Sequence, residues 1–349
     1  MPIEKIQLTP DYSISRIIKG GWHLAGGHGA IDQVEAIADM LAFVEAGITT
    51  FDCADIYTGV EAMIGQFLRK EKDAFRSGNL PQIQVHTKYV PDYSALSTLT
   101  PQQTEAIIDR SLQRLGVDQL DLVQFHWWDY QTPGYVEAAL SLMNLKRKGK
   151  IRNLAVTNFD TPHLQEMIDA GLEIVAHQVQ YSVLDRRVEN QMLHQAKNHD
   201  YHFLCYGVIA GGFLSDRYLG APDPKAPLEN RSLTKYRLII EEFGTWDFFQ
   251  ESLQLLRTLA DQYQVGIAEI AARYILQKEQ VGGVIIGARN RKHLEKYQQI
   301  FTFQLCTQDL AGIDAFLQQA NGPNGPFYAL ERDKEGRHGR IMKYNLNKD

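Results

Sequence analysis

Short apolar runs and longer amphipathic stretches alternate along this chain almost without a break. Ile17-Ile18-Lys19-Gly20-Gly21 reads as a short strand. Asp32 to Ala46 then sets Val34, Ile37, Ala38, Leu41 and Val44 at helical spacing, with Asp32 as N-cap and Gly47 as the stop. Ile48 to Asp52 is a second strand, and Glu61 to Arg69 starts its helix. Ile83 to Lys88 is a third strand, and Pro101 after Thr100 opens a helix that runs to Gly116. Leu120 to His126 and Ile151 to Thr157 are the fourth and fifth strands. Their helices span about Val136 to Lys148 and Thr161 to near Gly171. Ala176 to Gln180 and Phe203 to Tyr206 follow, separated by a helix near Val188 to Asn198. Helices at about Thr245–Tyr263 and Ala268–Lys278 lead to an eighth strand, Val284 to Gly287, and its helix, Lys292 to Ile300.

Eight strand–helix units with continuously apolar strands predict an α/β fold, a (β/α)8 TIM barrel. No linker-like composition splits residues 1–349, so the expectation is one domain. Two segments stand outside the units. Gly211 to Gly244, after strand seven, lacks clear periodicity and reads as a long functional loop. Asn321 to Asp349 is polar and charged, and forms a C-terminal extension that is either disordered or folded back over the barrel.

The composition narrows the function classes. With 44% hydrophobic and 22% charged residues in 349, the chain is balanced like a soluble globular protein. A net charge of −6 gives no reason to expect nucleic acid or an acidic membrane surface as a partner. The longest apolar run, Tyr201 to Leu214, is too short and glycine-rich to span a bilayer. Met1 to Pro10 lacks the apolar core of a signal peptide. The three cysteines, Cys53, Cys205 and Cys306, are widely spaced, which points to a reducing cytoplasm.

The candidate chemistry sits at strand ends. Asp52, Lys88 and His126 close the second, third and fourth strands, and Tyr57 follows just after the first of these. Active sites of such barrels lie at the C-terminal ends of strands, and neighbouring strands are only about 4.8 Å apart. A lysine paired with Asp52 would lower the tyrosine pKa and make Tyr57 a general acid. His126 would donate a hydrogen bond to a carbonyl oxygen as charge grows there. No nucleophile stands in this set and no metal-ligand spacing occurs, so no metal is expected. A site that protonates oxygen without attacking carbon needs an electron source, which points to a hydride cofactor.

These segments resemble the aldo-keto reductase superfamily. FDCADIYTGVEAMIG is similar to its signature at Asp52 and Tyr57, HTKY to its lysine strand, and QFHWWD to its histidine strand. The likeness runs from about Ile17 to Ile300. It implies catalytic roles for Asp52, Tyr57, Lys88 and His126. It also implies a nicotinamide dinucleotide lying extended across the barrel mouth without a Rossmann fold, and no Gly-x-Gly-x-x-Gly follows a strand here. Thr157, Asn158 and Gln178 would hold the carboxamide, and Tyr206 would stack on the nicotinamide. Gly207, Ile209, Gly211 and Gly212 would lie under the pyrophosphate. Ile286, Gly287 and Arg289, with Lys292 and Lys296, would hold the adenosine end. Gly21, Trp22 and Asp52 complete the expected cofactor contacts. Where the family carries an arginine and then an acid–asparagine pair, this chain has His293, Lys296 and Tyr297. The surrounding cations still favour NADPH, with NADH open.

Trp22, Tyr89, Trp127 and Trp128 would wall the pocket for a small-molecule carbonyl substrate. The reading is an NADPH-dependent reduction of an aldehyde or ketone. Its alternative is a cofactor-sensing regulatory subunit with slow chemistry. Substrate identity and oligomeric state are left open.

Overall fold

A computed structural model of the protein describes residues 2–26 and 29–347. Ten strands are present among the described residues. β1 (Lys5–Thr9) and β2 (Tyr12–Ser15) form an antiparallel hairpin. The rest are β3 (Ile17–Gly20), β4 (Thr50–Asp52), β5 (Gln84–Tyr89), β6 (Leu120–Phe125), β7 (Ile151–Thr157), β8 (Ala176–Gln180), β9 (His202–Tyr206) and β10 (Val281–Gly287). These eight pair in parallel, each with its sequence neighbour, and β10 closes on β3. The closed barrel, ringed by helices, is the TIM architecture expected from the alternation.

Local chemistry explains why the elements fall where they do. The helix Pro101–Leu115 begins with a capping box between Thr100 and Gln103 and ends at Gly116, whose φ of 71° needs a residue without a Cβ penalty. Asp32 caps the helix Gln33–Glu45 by accepting from the amides of Val34 and Glu35. The hairpin was not anticipated. Its Leu8, Tyr12 and Ile14 pack with Ile18, Leu122 and Leu204 of the barrel strands in one buried cluster. That cluster is apolar, so polar chemistry is left to the C-terminal ends of the strands.

Both irregular segments carry structure. The stretch 211–244 contains the helix Arg231–Phe243, capped by Asn230, whose Oδ1 accepts from the amide of Leu233 at 3.0 Å. Its buried face is Leu233, Tyr236, Ile240 and Phe243, a helical spacing hidden among Arg, Lys and Glu. The tail, as far as residue 347, folds back. Glu331 forms a buried ion pair with Arg187, which Asp185 also holds at 2.7 Å. Arg332 lies 3.8 Å from the Tyr130 ring centroid and donates to the carbonyl of Asn158 at 2.8 Å. A further helix, Thr307–Leu317, lies beyond the eighth unit.

Candidate active site

The strand ends surround a cavity of about 470 Å³ at the barrel mouth. Asp52, Tyr57, Lys88 and His126 all line it. The centre is an ion pair. Lys88 Nζ donates to both oxygens of Asp52, at 2.9 and 2.7 Å, and to the carbonyl of Cys53 at 2.8 Å. Both side chains are almost fully buried, at 6% and 5% exposure. Asp52 Oδ1 also accepts from Gln124 at 2.8 Å and Gln178 at 2.6 Å. A buried charge is tolerated only when it is paired and hydrogen-bonded, and each partner here satisfies the other. Burial opposes the Lys88 charge most strongly, but Asp52, Tyr57 and Cys53 together outweigh it and hold the ammonium above its ordinary pKa.

That ammonium lies 5.1 Å from the centroid of the Tyr57 ring. The turn bearing Tyr57 is fixed from beneath by the buried Asp55, whose carboxyl oxygens accept from the amides of Ile56 at 2.9 Å and Val90 at 3.0 Å. The electrostatic balance at Tyr57 differs from the expectation. Burial raises the phenol pKa, Lys88 lowers it, and Asp52 raises it again, leaving it above the ordinary value of 10. Desolvation of a phenolate is a larger effect here than one shared ammonium.

His126 also departs from its expected donor role. Its Nδ1 lies 3.1 Å from the carbonyl oxygen of Thr157, which can only accept, so Nδ1 carries the proton. Burial and the nearby Arg332 push the pKa down to about 3, so the ring is neutral. Nε2 is buried without a partner and therefore presents a lone pair to the cavity.

Strand alternation sorts the remaining candidates. Trp22 and Trp128 line the cavity. Tyr89 and Trp127 do not, because they follow Lys88 and His126 by one residue and face the opposite side. Tyr89 stacks on Phe125 at 5.7 Å and bonds Thr104 at 2.8 Å. Trp127 donates its indole N–H to the carbonyls of Asp129 and Thr132.

Thr157, Asn158, Gln178 and Tyr206 come together on the wall beside His126. Asn158 adopts φ 61°, a left-handed conformation that asparagine accepts well, and its Oδ1 receives the Tyr206 hydroxyl at 2.8 Å. Thr157 Oγ1 is buried and unpartnered. Gly207, Ile209, Gly211, Gly212, Ile286 and Gly287 also line the cavity. Gly21 does not; its amide donates to Asp52 O at 2.7 Å, and the neighbouring Gly20 takes the lining position. Arg289, Lys292 and Lys296 lie outside the lining as well. Arg289 turns to the carbonyl of Ala30, at 2.6 Å. Lys292 and Lys296 are exposed; Tyr297 looks into the cavity, and the exposed His293, one turn away on the adjoining face, joins its lining.

Sequence reasoning missed several lining residues. Arg231, Ser232, Lys235 and Tyr236 come from the unanticipated helix, and Tyr328, Ile341 and Met342 from the tail. Gln124 does not line the cavity but supports Asp52; it lies two residues before His126, on the strand that His126 follows, and was legible from that spacing.

Comparison with known proteins agrees with this architecture. The model of the Aldo/keto reductase family matches residues 16–318. The NADH-specific methylglyoxal reductase of Escherichia coli strain K12 is 28% identical over 317 residues, covering 82% of this chain and 90% of that protein. The L-glyceraldehyde 3-phosphate reductase of the same strain is 27% identical over 305 residues, covering 84% and 86%. The structure of a glycerol dehydrogenase from Gluconobacter oxydans shares the fold with a TM-score of 0.73 at 24% identity, covering 90% of this chain and 95% of that one. The chain belongs to the aldo/keto reductase family, and it is an oxidoreductase of carbonyl compounds that uses a nicotinamide cofactor. Among the described residues no helix is long and apolar enough to cross a membrane.

The charge states predict a pH profile. Tyr57, raised above 10, keeps its proton through neutral pH, and His126 stays neutral above about 3. The kcat/KM for aldehyde reduction is expected to be flat from about pH 6 to 9 and to fall only as the phenol ionises. An inflection between about pH 6 and 7 would indicate a histidine that changes charge and would contradict the neutral ring.

Proposed function

We propose that Tyr57 protonates the carbonyl oxygen of a small aldehyde or ketone while hydride reaches its carbon from a nicotinamide. The observation that carries this reading is the Asp52–Lys88 pair, held by two hydrogen bonds with its ammonium 5.1 Å from the Tyr57 ring. The fit of a nicotinamide cofactor rests on orphaned polar atoms. Thr157 Oγ1 is buried and unpartnered on the cavity wall, beside Asn158 and Gln178, where a carboxamide finds both donors and acceptors. Tyr206, held by Asn158, offers a ring for stacking. Gly207, Gly211 and Gly212 have positive φ and line the cavity, so backbone there can approach a phosphate closely.

When bound, the cofactor supplies the hydride. The chain's residues do the rest. Lys88 faces the oxygen of Tyr57 and stabilises the phenolate left by proton transfer. Asp52 keeps that ammonium charged and in place. His126 Nε2, an acceptor, orients a hydroxyl next to the reacting oxygen, and Trp22 and Trp128 exclude water around it.

NADPH is the favoured cofactor. Lys292 has no ion-pair partner among the described residues and immediately precedes His293, which lines the cavity, so it can meet a 2′-phosphate.

Tyr57→Phe is expected to lower aldehyde-dependent NADPH oxidation by roughly 100-fold or more while NADPH still quenches tryptophan fluorescence. Retained turnover would remove Tyr57 from the reaction. Lys292→Gln is expected to weaken NADPH binding about tenfold, leaving NADH binding within twofold. Equal weakening of both, or of neither, would contradict the phosphate role.

A further inference from the structure

The cavity carries an unbalanced charge. Asp52 is the one acidic side chain among its described lining residues, and Lys88, Gln124 and Gln178 already occupy it. Against it stand Lys88, Arg231, Lys235 and Lys343. The whole chain has a net charge of −6, so this mouth is a positive focus in a negative molecule.

Arg231 and Lys235 lie one turn apart on the same helix and share a face. The Lys235 ammonium makes no hydrogen bond or ion pair with any described residue. It lies over the rings of Tyr206 and Tyr328, at 4.7 and 6.0 Å from their centroids. Arg231 donates to the tail carbonyl of Ile341 and sits 5.9 Å from the Trp22 ring, with no carboxylate partner. Burial depresses both pKa values; Glu331 and Asp185 return part of that cost to Lys235 from a distance, and no carboxylate returns any to Arg231.

Their helix packs on the glycine turn, but the two cations also reach the rings beside the reacting side chains. Trp22, under Arg231, is 5.1 Å from the Tyr57 ring. Tyr328, under Lys235, is 6.0 Å from the His126 ring. Each cation is therefore one ring away from one of the two side chains that face the reacting oxygen. The turn Gly207–Gly212 is covered by a different side chain of the helix, Tyr236, whose ring a Cβ on Gly207 or Gly211 would strike, at 2.8 and 2.9 Å.

We infer that Arg231 and Lys235 form an anion subsite for the substrate, so that the enzyme prefers small carbonyl compounds carrying a carboxylate or phosphate a few bonds from the carbonyl. This inference rests on the reductase reading above and names the substrate class of that site. A carboxylate or phosphate there supplies the counter-charge that the cavity lacks and fixes the carbonyl against Tyr57.

The test compares matched substrates with saturating NADPH: 4-oxobutanoate against butanal, and glyceraldehyde 3-phosphate against glyceraldehyde. In the wild type, kcat/KM is expected to favour at least one anionic member by about tenfold or more. A preference in the first pair alone marks a carboxylate subsite, and in the second alone a phosphate subsite. Lys235→Met and Arg231→Met should each collapse that ratio, chiefly through KM, and Arg231→Lys should restore part of it. Calorimetry should show the unreactive product 4-hydroxybutanoate, or glycerol 3-phosphate, binding the wild type and not the double Met variant. Turnover of the neutral members with no anionic preference would overturn the subsite and leave the reductase reading standing. Variants that weaken NADPH binding instead of the ratio would assign these cations to the cofactor and overturn the subsite. No turnover of any of the four would overturn both readings.

Discussion

The mouth of this barrel depends on one buried ion pair. Removing a single partner from such a pair costs about 3–5 kcal/mol, because the other charge is left in a low-dielectric interior. The barrel avoids that cost by geometry. Gly20, Asp52 and His86 are in register across β3, β4 and β5, and Lys88 follows His86 by two residues on the same face. Lys88 is in turn level with Gln124 of β6. Three strands, β4, β5 and β6, thus supply the anion, the cation and a supporting amide within two residues of one register, and Gln178 of β8 adds a further donor. The Asp52 carboxylate accepts four hydrogen bonds, so its lone pairs are largely spent inside the protein.

Around that pair, burial and charge compete, and burial prevails at two of the key groups. It keeps His126 neutral and Tyr57 protonated at neutral pH. Lys88 offsets part of that burial by stabilising the phenolate, the form Tyr57 reaches once the proton has left. The contribution falls on the reacting state, where differential stabilisation raises the rate.

Much of this was legible in the sequence because it is local or periodic. The strand ends at Asp52, Lys88 and Thr157 coincide with the last residues of an apolar run or lie within one residue of them. Thr100–Pro101 and Gly116 punctuate a helix by chemistry that depends on a few neighbours. Tyr89 and Trp127 were misassigned to the pocket although strict alternation from Lys88 and His126 turns them away. The helix Arg231–Phe243 was hidden because its buried face is interleaved with charges, two of which face the cavity. The tail's course was not readable from local pattern: Arg187 and Glu331 are 144 residues apart, and only the closed barrel brings them together. The basic run after Gly287 suggested a lining role, but helical spacing turns Tyr297 inward, puts the exposed His293 on the cavity lining and leaves Lys292 and Lys296 off it.

The central claim is that the Asp52–Lys88 pair offsets part of the rise that burial imposes on the Tyr57 pKa. Its most direct test is NMR titration of ring-labelled tyrosine in the wild type and in a double variant, Asp52→Asn with Lys88→Met. Removing both partners leaves no buried unpaired charge. The ammonium lowers the Tyr57 pKa more than the carboxylate raises it. The Tyr57 resonance is therefore expected to titrate above 10 in the wild type and higher still in the double variant. An unchanged midpoint, or one that moves down, would contradict the account.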